Sequence, residues 1–241
     1  MRGTIRIGTA GWSIPKRHAA EFPAGGSHLE RYAQRFSAVE INSSFYRPHR
    51  PATYARWAAS VPAGFRFAVK VPRAITHQRK LVDVTAPLDR FLAEAGALGD
   101  RLGPLLVQLP PSLRYDESVA HNFFASLRED FGGGVVCEPR HPTWFDDAAD
   151  DLLSRFHVAR VAADPAPVPR AAEPGGWAGL AYYRLHGSPR MYYSAYPAER
   201  LEAIAAALRK AAERGGESWC IFDNTALGAA TQDAMSVMDR L

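Results

Sequence analysis

Leu180-Ala181-Tyr182-Tyr183-Arg184-Leu185-His186 is followed by a stretch in which Leu201, Ile204, Ala205, Leu208 and Ala212 recur at helical spacing, and then by Ser218-Trp219-Cys220-Ile221-Phe222. The outer segments have the length and the aliphatic and aromatic content of strands; the middle one carries a single apolar face that needs a sheet to cover it. Gly215-Gly216 is suited to closing the helix before the next strand begins. Strand, helix and strand in that order predict a parallel pair joined by a crossover.

The same alternation extends outward. Strand-like segments at 4–8, 38–42, 65–71, 104–109, 135–138 and 158–162 precede the quoted pair, which makes eight. Between them, Ser27 and Glu30 form a capping box ahead of Leu29, Tyr32, Ala33 and Phe36, and Pro51 suits a first helical turn. A last apolar face runs through Leu227, Ala230, Ala234, Val237, Met238 and Leu241. Eight strands in 241 residues match an α/β chain folded as a TIM-like (β/α)8 barrel, for which about 250 residues is typical, so one barrel domain over 1–241 is predicted. An open doubly wound sheet fits less well, because Gly8-Thr9-Ala10-Gly11-Trp12 lacks the GxGxxG spacing and no P-loop occurs. Residues 164–179 hold four prolines, three glycines and no apolar period, so a loop, a candidate lid, is expected in place of the helix after strand six.

Composition narrows the class. With 47% hydrophobic and 22% charged residues, the chain can bury a core, which excludes a disordered or fibrous protein. No apolar run approaches the roughly 20 residues of a membrane span, and Met1-Arg2-Gly3-Thr4 leads straight towards a strand, so a cytoplasmic protein with no membrane contact is expected. Cys137 and Cys220 lie inside strand-like segments, which excludes a thiolate metal framework. A formal charge of +4 leans towards an anionic partner, a small molecule or a nucleic acid. The segments expected to follow the strands (9–26, 43–50, 70–86, 110–115, 138–145, 164–179, 186–197 and 223–225) carry a net +6, leaving −2 elsewhere.

Alternation within each strand assigns side chains to the barrel interior. Glu40 and Asn42 face inward from the second strand, Ala68 and Lys70 from the third, and Leu106 and Gln108 from the fourth. Val136, Glu138 and Arg140 do so from the fifth, and Tyr182, Arg184 and His186 from the seventh. Each series turns polar towards its C-terminal end, where barrels place their chemistry. Buried unpaired charges cost on the order of several kcal/mol, so these groups must pair with each other, meet water or hold a ligand.

A self-satisfied ionic plug is one use of such a set. The other is a pocket for a phosphate-containing ligand, a nucleotide or a nucleic-acid end. Lys70, Arg140 and Arg184 would neutralise it, Asn42 and Gln108 would orient it, and Glu40 and Glu138 would anchor the cations. Trp12 and Tyr46 are candidate stacking surfaces, and His77, His141 and His186 are candidate proton carriers. Hydrolysis is one outcome; a nucleic-acid-binding protein without catalysis is another.

Metal-assisted phosphodiester hydrolysis would recruit Glu40, Glu138, Asp164, His186 and Asp223. The three cations would repel a divalent ion and no HxH or HExxH pair is present, so no metal site is expected, and the sequence identifies no cofactor. Schiff-base chemistry at Lys70 is opposed by Glu40, which would favour the charged amine. A glycosidase pair of Glu40 and Glu138 would be held ionised by the guanidiniums.

Several motifs follow one another along the chain: Gly8-Thr9-Ala10-Gly11-Trp12-Ser13, Glu40-Ile41-Asn42-Ser43-Ser44-Phe45-Tyr46, Lys70-Val71-Pro72 with Thr76-His77, Gln108-Leu109-Pro110-Pro111, Glu138-Pro139-Arg140-His141-Pro142 with Trp144, Arg184-Leu185-His186-Gly187, and Asp223-Asn224-Thr225. Together they resemble the YecE-like family, domain of unknown function 72, over nearly the whole chain. The resemblance implies a TIM-like barrel and brings Asn224 into the candidate site, but it implies no established activity. A likeness of such barrels to DNA-repair endonucleases adds a nucleic-acid expectation by fold analogy alone. Ala10 stands where the family often has serine, Pro139 where an aromatic is common, and Asp223 where asparagine is usual, so no role at 223 carries over.

Overall fold

Strand and helix periods alternate along the chain and build two layers of contact, one on each face of a mostly parallel sheet structure. The computed structural model describes residues 3–241; Met1 and Arg2, the start of the expected run into the first strand, lie outside the described residues. The strands are β1 (Ile5–Thr9), β2 (Ala38–Ile41), β3 (Arg66–Lys70), β4 (Leu102–Gln108), β5 (Val135–Glu138), β6 (Val158–Arg160), β7 (Ala162–Asp164), β8 (Gly175–Gly176), β9 (Leu180–Leu185) and β10 (Glu217–Phe222). The helices are α1 (His28–Ala33), α2 (Ser43–Tyr46), α3 (Pro51–Ala59), α4 (Thr85–Gly96), α5 (Glu117–Asp130), α6 (Asp147–Arg155), α7 (Ala198–Glu213) and α8 (Ala229–Met238).

The single closed barrel expected from the sequence resolves as two sheets, ordered β1-β10-β9-β7 and β2-β3-β4-β5-β6-β8. All pairs are parallel except β6 with β8. Two features account for the difference. The sixth strand is divided at Val161: β6 pairs with β5 and β7 with β9, so one stretch of chain serves both sheets. On the other side, β1 meets β2 through an isolated parallel bridge, Ala10 with Glu40, supported by the Gly11 N–H donating to the Glu40 carbonyl at 2.8 Å. Gly8 permits this approach, because a Cβ there would lie 2.0 Å from the Ala38 carbonyl oxygen.

The parity reading describes both cores. Val39, Ile41, Phe67, Val69, Leu105, Val107 and Cys137 pack outward against the buried faces of the helices, including Leu201, Ile204, Ala205 and Leu208 of α7. Ala38, Ala68, Leu106, Val136, Tyr182, Trp219 and Ile221 form a separate cluster between the inner faces of the sheets. Cys137 and Cys220 are free and buried.

Local signals act as expected at most ends. The Ser27 hydroxyl accepts from the Glu30 N–H, the Glu30 carboxylate accepts from the Ser27 N–H, and Pro51 opens α3. The last helix starts later than its periodicity suggests. Gly228 adopts a left-handed φ of 74° before α8, which leaves Leu227 outside the helix and 64% exposed.

The segment after β7 contains a short 3-10 turn, Pro169–Ala172, and β8, but no α-helix. It is fixed along the outside of the sheet instead of lying across the strand ends as a lid. The buried Arg160 guanidinium donates to both Asp150 carboxylate oxygens on α6, at 2.7 and 3.2 Å, and to the carbonyls of Arg170 and Glu173. Arg170 also pairs with Asp147 and Asp150, so it and Glu173 belong to the outer layer and not to the strand-end face assigned from sequence.

Candidate functional site

The inward series of β2, β3, β4, β5, β9 and β10 become polar at their C-terminal ends and meet above the inner apolar cluster. Arg184 is the centre. Its Nε and Nη2 grip Glu40 at 3.0 and 2.6 Å, Nη1 lies 2.5 Å from Glu138, and Nη2 also donates to Asp223 at 3.0 Å. Tyr182 donates to Glu40 at 2.9 Å. Burial opposes charge on both Arg184 and Glu138, yet each holds the other ionised: Glu138, Glu40 and Asp223 raise the guanidinium well above its ordinary value, while Arg184, Arg140 and His186 hold the Glu138 carboxyl well below its own.

His186 extends this network. Its Nδ1 faces Asp223 at 3.0 Å, and its Nε2 lies 2.9 Å from Glu138 and 2.6 Å from the Arg140 guanidinium. Arg140 also pairs with Glu138 and keeps 13% of its side chain exposed. Gln108 donates to Glu138 at 3.3 Å and Asn42 to Asp223 at 3.4 Å. The Asn42 Oδ1 is buried without a hydrogen-bond partner. For Asp223, burial raises the carboxyl pKa, and Arg184, His186 and Lys70 more than reverse this to leave it lowered.

Lys70 differs from the arginines. The Ser44 hydroxyl fixes its backbone by donating to the Lys70 carbonyl at 2.7 Å, and its ammonium lies over the Phe45 ring, 4.1 Å from the centroid. None of its ion pairs falls within 4.0 Å among the described residues. Burial and the Arg184 charge lower its pKa to about 8, against the pull of Glu40, Glu138 and Asp223. The expected Glu40–Lys70 pairing does not form, because Glu40 is taken by Arg184 and Tyr182.

The sequence candidates therefore separate into groups. Glu40, Asn42, Lys70, Gln108, Glu138, Arg140, Arg184 and His186 converge. Arg184 and His186 are fully buried, so Arg184 acts as the anchor of three carboxylates and offers no open edge to a ligand. His77 sits beside the cluster, edge-on to Phe45 with centroids 4.9 Å apart, its pKa lowered by burial and then by Lys70 and Arg73. Tyr46 is 71% exposed on the rim.

Three candidates face elsewhere. Trp12 packs edge-on against Trp57 and Phe67 in the outer core, because Gly11, at φ 80°, breaks the strand parity before it. His141 caps the following 3-10 turn: its Nδ1 accepts from the Thr143 N–H at 3.2 Å. Asn224 ties the 187–196 loop to α8, donating to the Ser194 carbonyl and to Asp233. Asp164, considered as a metal ligand, pairs with Arg200 outside the cluster. Sequence reasoning gives Phe45 no place in the site, gives Tyr182 an inward face without a role, and brings in Asp223 only as a possible metal ligand; continuing the inward parity of Trp219 and Ile221 by one step places Asp223 inside.

The arrangement defines an α/β protein with mostly parallel strands and a polar cluster at their C-terminal ends. A family profile described as "Protein of unknown function DUF72" matches residues 6–241, and the chain belongs to that family. UPF0759 protein YecE of Escherichia coli K12 is 34% identical over 176 residues, covering 70% of this chain and 62% of that protein. UPF0759 protein YunF of Bacillus subtilis 168 is 29% identical over 153 residues, covering 58% and 52% respectively. The chain thus spans less than two thirds of the length of these relatives in the matched region. A DUF72 family protein from Enterococcus faecalis V583 superposes with a TM-score of 0.84 at 21% identity, covering 99% of this chain and 95% of the other. One from Thermotoga maritima MSB8 gives 0.80 at 21% identity, with 98% of each chain covered. These two likenesses concern the fold.

Proposed function

We propose that the strand-end cluster is the floor of a binding site for a phosphate-containing ligand, a nucleotide or a nucleic-acid end, and that the two sheets act as one TIM-like barrel wall around it. The shared inner cluster, the Ala10–Glu40 bridge and the continuity through Val161 support the barrel reading. One observation carries the functional reading. All six oxygens of Glu40, Glu138 and Asp223 already accept from other donors, whereas among the described residues no carboxylate lies within 4.0 Å of the Lys70 ammonium. A ligand anion supplies the missing partner, and the exposed part of Arg140 supplies a second donor.

Isothermal titration with adenosine monophosphate, against adenosine as control, tests this. Losing one charge-assisted contact of about 1.5–3 kcal/mol weakens binding by roughly tenfold to a hundredfold in Lys70→Met and in Arg140→Met. Equal binding of adenosine, or unchanged affinity in both variants, contradicts the reading.

A nucleic-acid-binding protein without catalysis is the second reading, favoured by the exposed rings of Tyr46, Tyr192 and Tyr193, on which bases stack. Salt-dependent affinity is common to both. Phosphoester hydrolysis that His77→Gln abolishes at unchanged affinity marks the enzyme; binding with no turnover marks the binding protein.

A further inference from the structure

Lysine is scarce in this chain: Lys16, Lys70, Lys80 and Lys210 are four of its 29 basic side chains, and the other 25 are arginine. Lys16, Lys80 and Lys210 are exposed; folding buries Lys70 alone of the four. The buried arginines, Arg160 and Arg184, each grip carboxylates. A guanidinium stays charged in water and in protein, whereas a lysine amine loses its proton readily when buried. A side chain able to become neutral therefore occupies, among the described residues, the one buried lysine or arginine position with no carboxylate within 4.0 Å.

The surroundings favour a reactive amine. Phe45 holds Nζ over its ring face at 4.1 Å, a contact that favours the ammonium; burial and the Arg184 charge favour the neutral amine, and the oxygens of Glu40, Glu138 and Asp223 that face the cluster are committed to Arg184, Arg140, His186, Tyr182, Gln108 and Asn42. At a pKa of about 8, roughly a tenth of the amine is neutral at pH 7, on the order of a hundredfold more than for an ordinary lysine. His77 leans on the same Phe45 ring, and burial together with the Lys70 and Arg73 charges favours its neutral form, which can relay protons.

We propose that Lys70 forms a covalent imine with a small aldehyde or ketone bound at this site. The neutral amine attacks the carbonyl carbon, a C=N bond replaces the C=O bond, and the carbonyl oxygen leaves as water carrying the two amine protons. No electrons are gained or lost, and no co-reactant is required. The substrate class rests on the anion reading in one respect: Arg140 would hold the phosphate of a phosphorylated carbonyl compound. The imine itself does not depend on that charge.

The test is reductive trapping of the intact protein at pH 7 with dihydroxyacetone or dihydroxyacetone phosphate, each with cyanoborohydride, followed by peptide mapping. The proposal expects about tenfold or more label on Lys70 than on Lys16, Lys80 or Lys210. Lys70→Arg, checked for folding by its thermal transition, should lose that label alone. Preference for the phosphorylated compound supports the imine and the anion site together. Equal labelling of Lys70 by both compounds supports the imine and removes the anion reading. Label spread evenly over the exposed lysines overturns the imine, and adenosine monophosphate binding that persists in the same preparation shows that only the imine has failed.

Discussion

Arg184 and Glu40 lie 144 positions apart and share two hydrogen bonds, of 3.0 and 2.6 Å, with both side chains fully buried. The contact joins the C-terminal ends of β9 and β2, which belong to different sheets. Arg184 thus couples the two halves of the fold and neutralises the acidic floor of the cluster.

Replacing Arg184 with alanine leaves Glu40, Glu138 and Asp223 buried around an uncompensated gap. Loss of one partner of a buried ion pair costs about 3–5 kcal/mol, and the urea midpoint should fall accordingly. The pH profile gives a second check. Glu138 and Asp223 have lowered pKa values in the folded protein, so their stabilisation is present above the unfolded values of 4.5 and 3.8 and is lost as pH falls through the folded values. The variant should show a shallower acid loss than the parent; an unchanged midpoint and acid limb contradict this role.

Lys70→Met should stabilise the protein while removing function. The folded amine releases its proton near pH 8, and the unfolded one near 10.5. Between those values the unfolded chain holds more protons, so parent stability rises with pH across that window. Below pH 8 the full penalty of the buried charge applies, and the variant should be more stable by on the order of 2 kcal/mol at pH 7. The difference should narrow by pH 10.5. Urea unfolding at pH 7 and pH 10 measures it, and a variant less stable at pH 7 contradicts the assignment.

Arg160→Ala should loosen the segment that replaces the helix after β7. Removing the guanidinium leaves Asp150 with Arg170 alone and leaves the Arg170 and Glu173 carbonyls without their donor. A loss of about 3 kcal/mol is expected, with faster trypsin cleavage after Arg170 than in the parent. Equal cleavage rates show that the segment is held by something other than Arg160.

The parts legible in the sequence are those governed by short periods. Strand alternation separates the inner cluster of Ala38, Ala68, Leu106 and Val136 from the outer packing of Val39, Phe67, Leu105 and Val135, and it brings Glu40, Lys70, Glu138 and Arg184 together. The capping box at Ser27 and the closing Gly215 are equally local. Periodicity stops at strand ends. Gly11 turns Trp12 into the outer core, His141 answers the need of its own turn for a cap, and Asn224 serves the loop packed against α8. The division of strand six at Val161 depends on which neighbours pair with each half, and a single strand's pattern carries no record of that.

The central claim is that an anion binds to Lys70 and Arg140 at the strand ends. A crystal soaked in tungstate reports this directly through the anomalous signal of the metal. The account predicts a peak within hydrogen-bonding reach of the Lys70 amine and the Arg140 guanidinium, absent from Lys70→Met crystals. Peaks confined to exposed arginines such as Arg47 and Arg190, with nothing beside Lys70, contradict it.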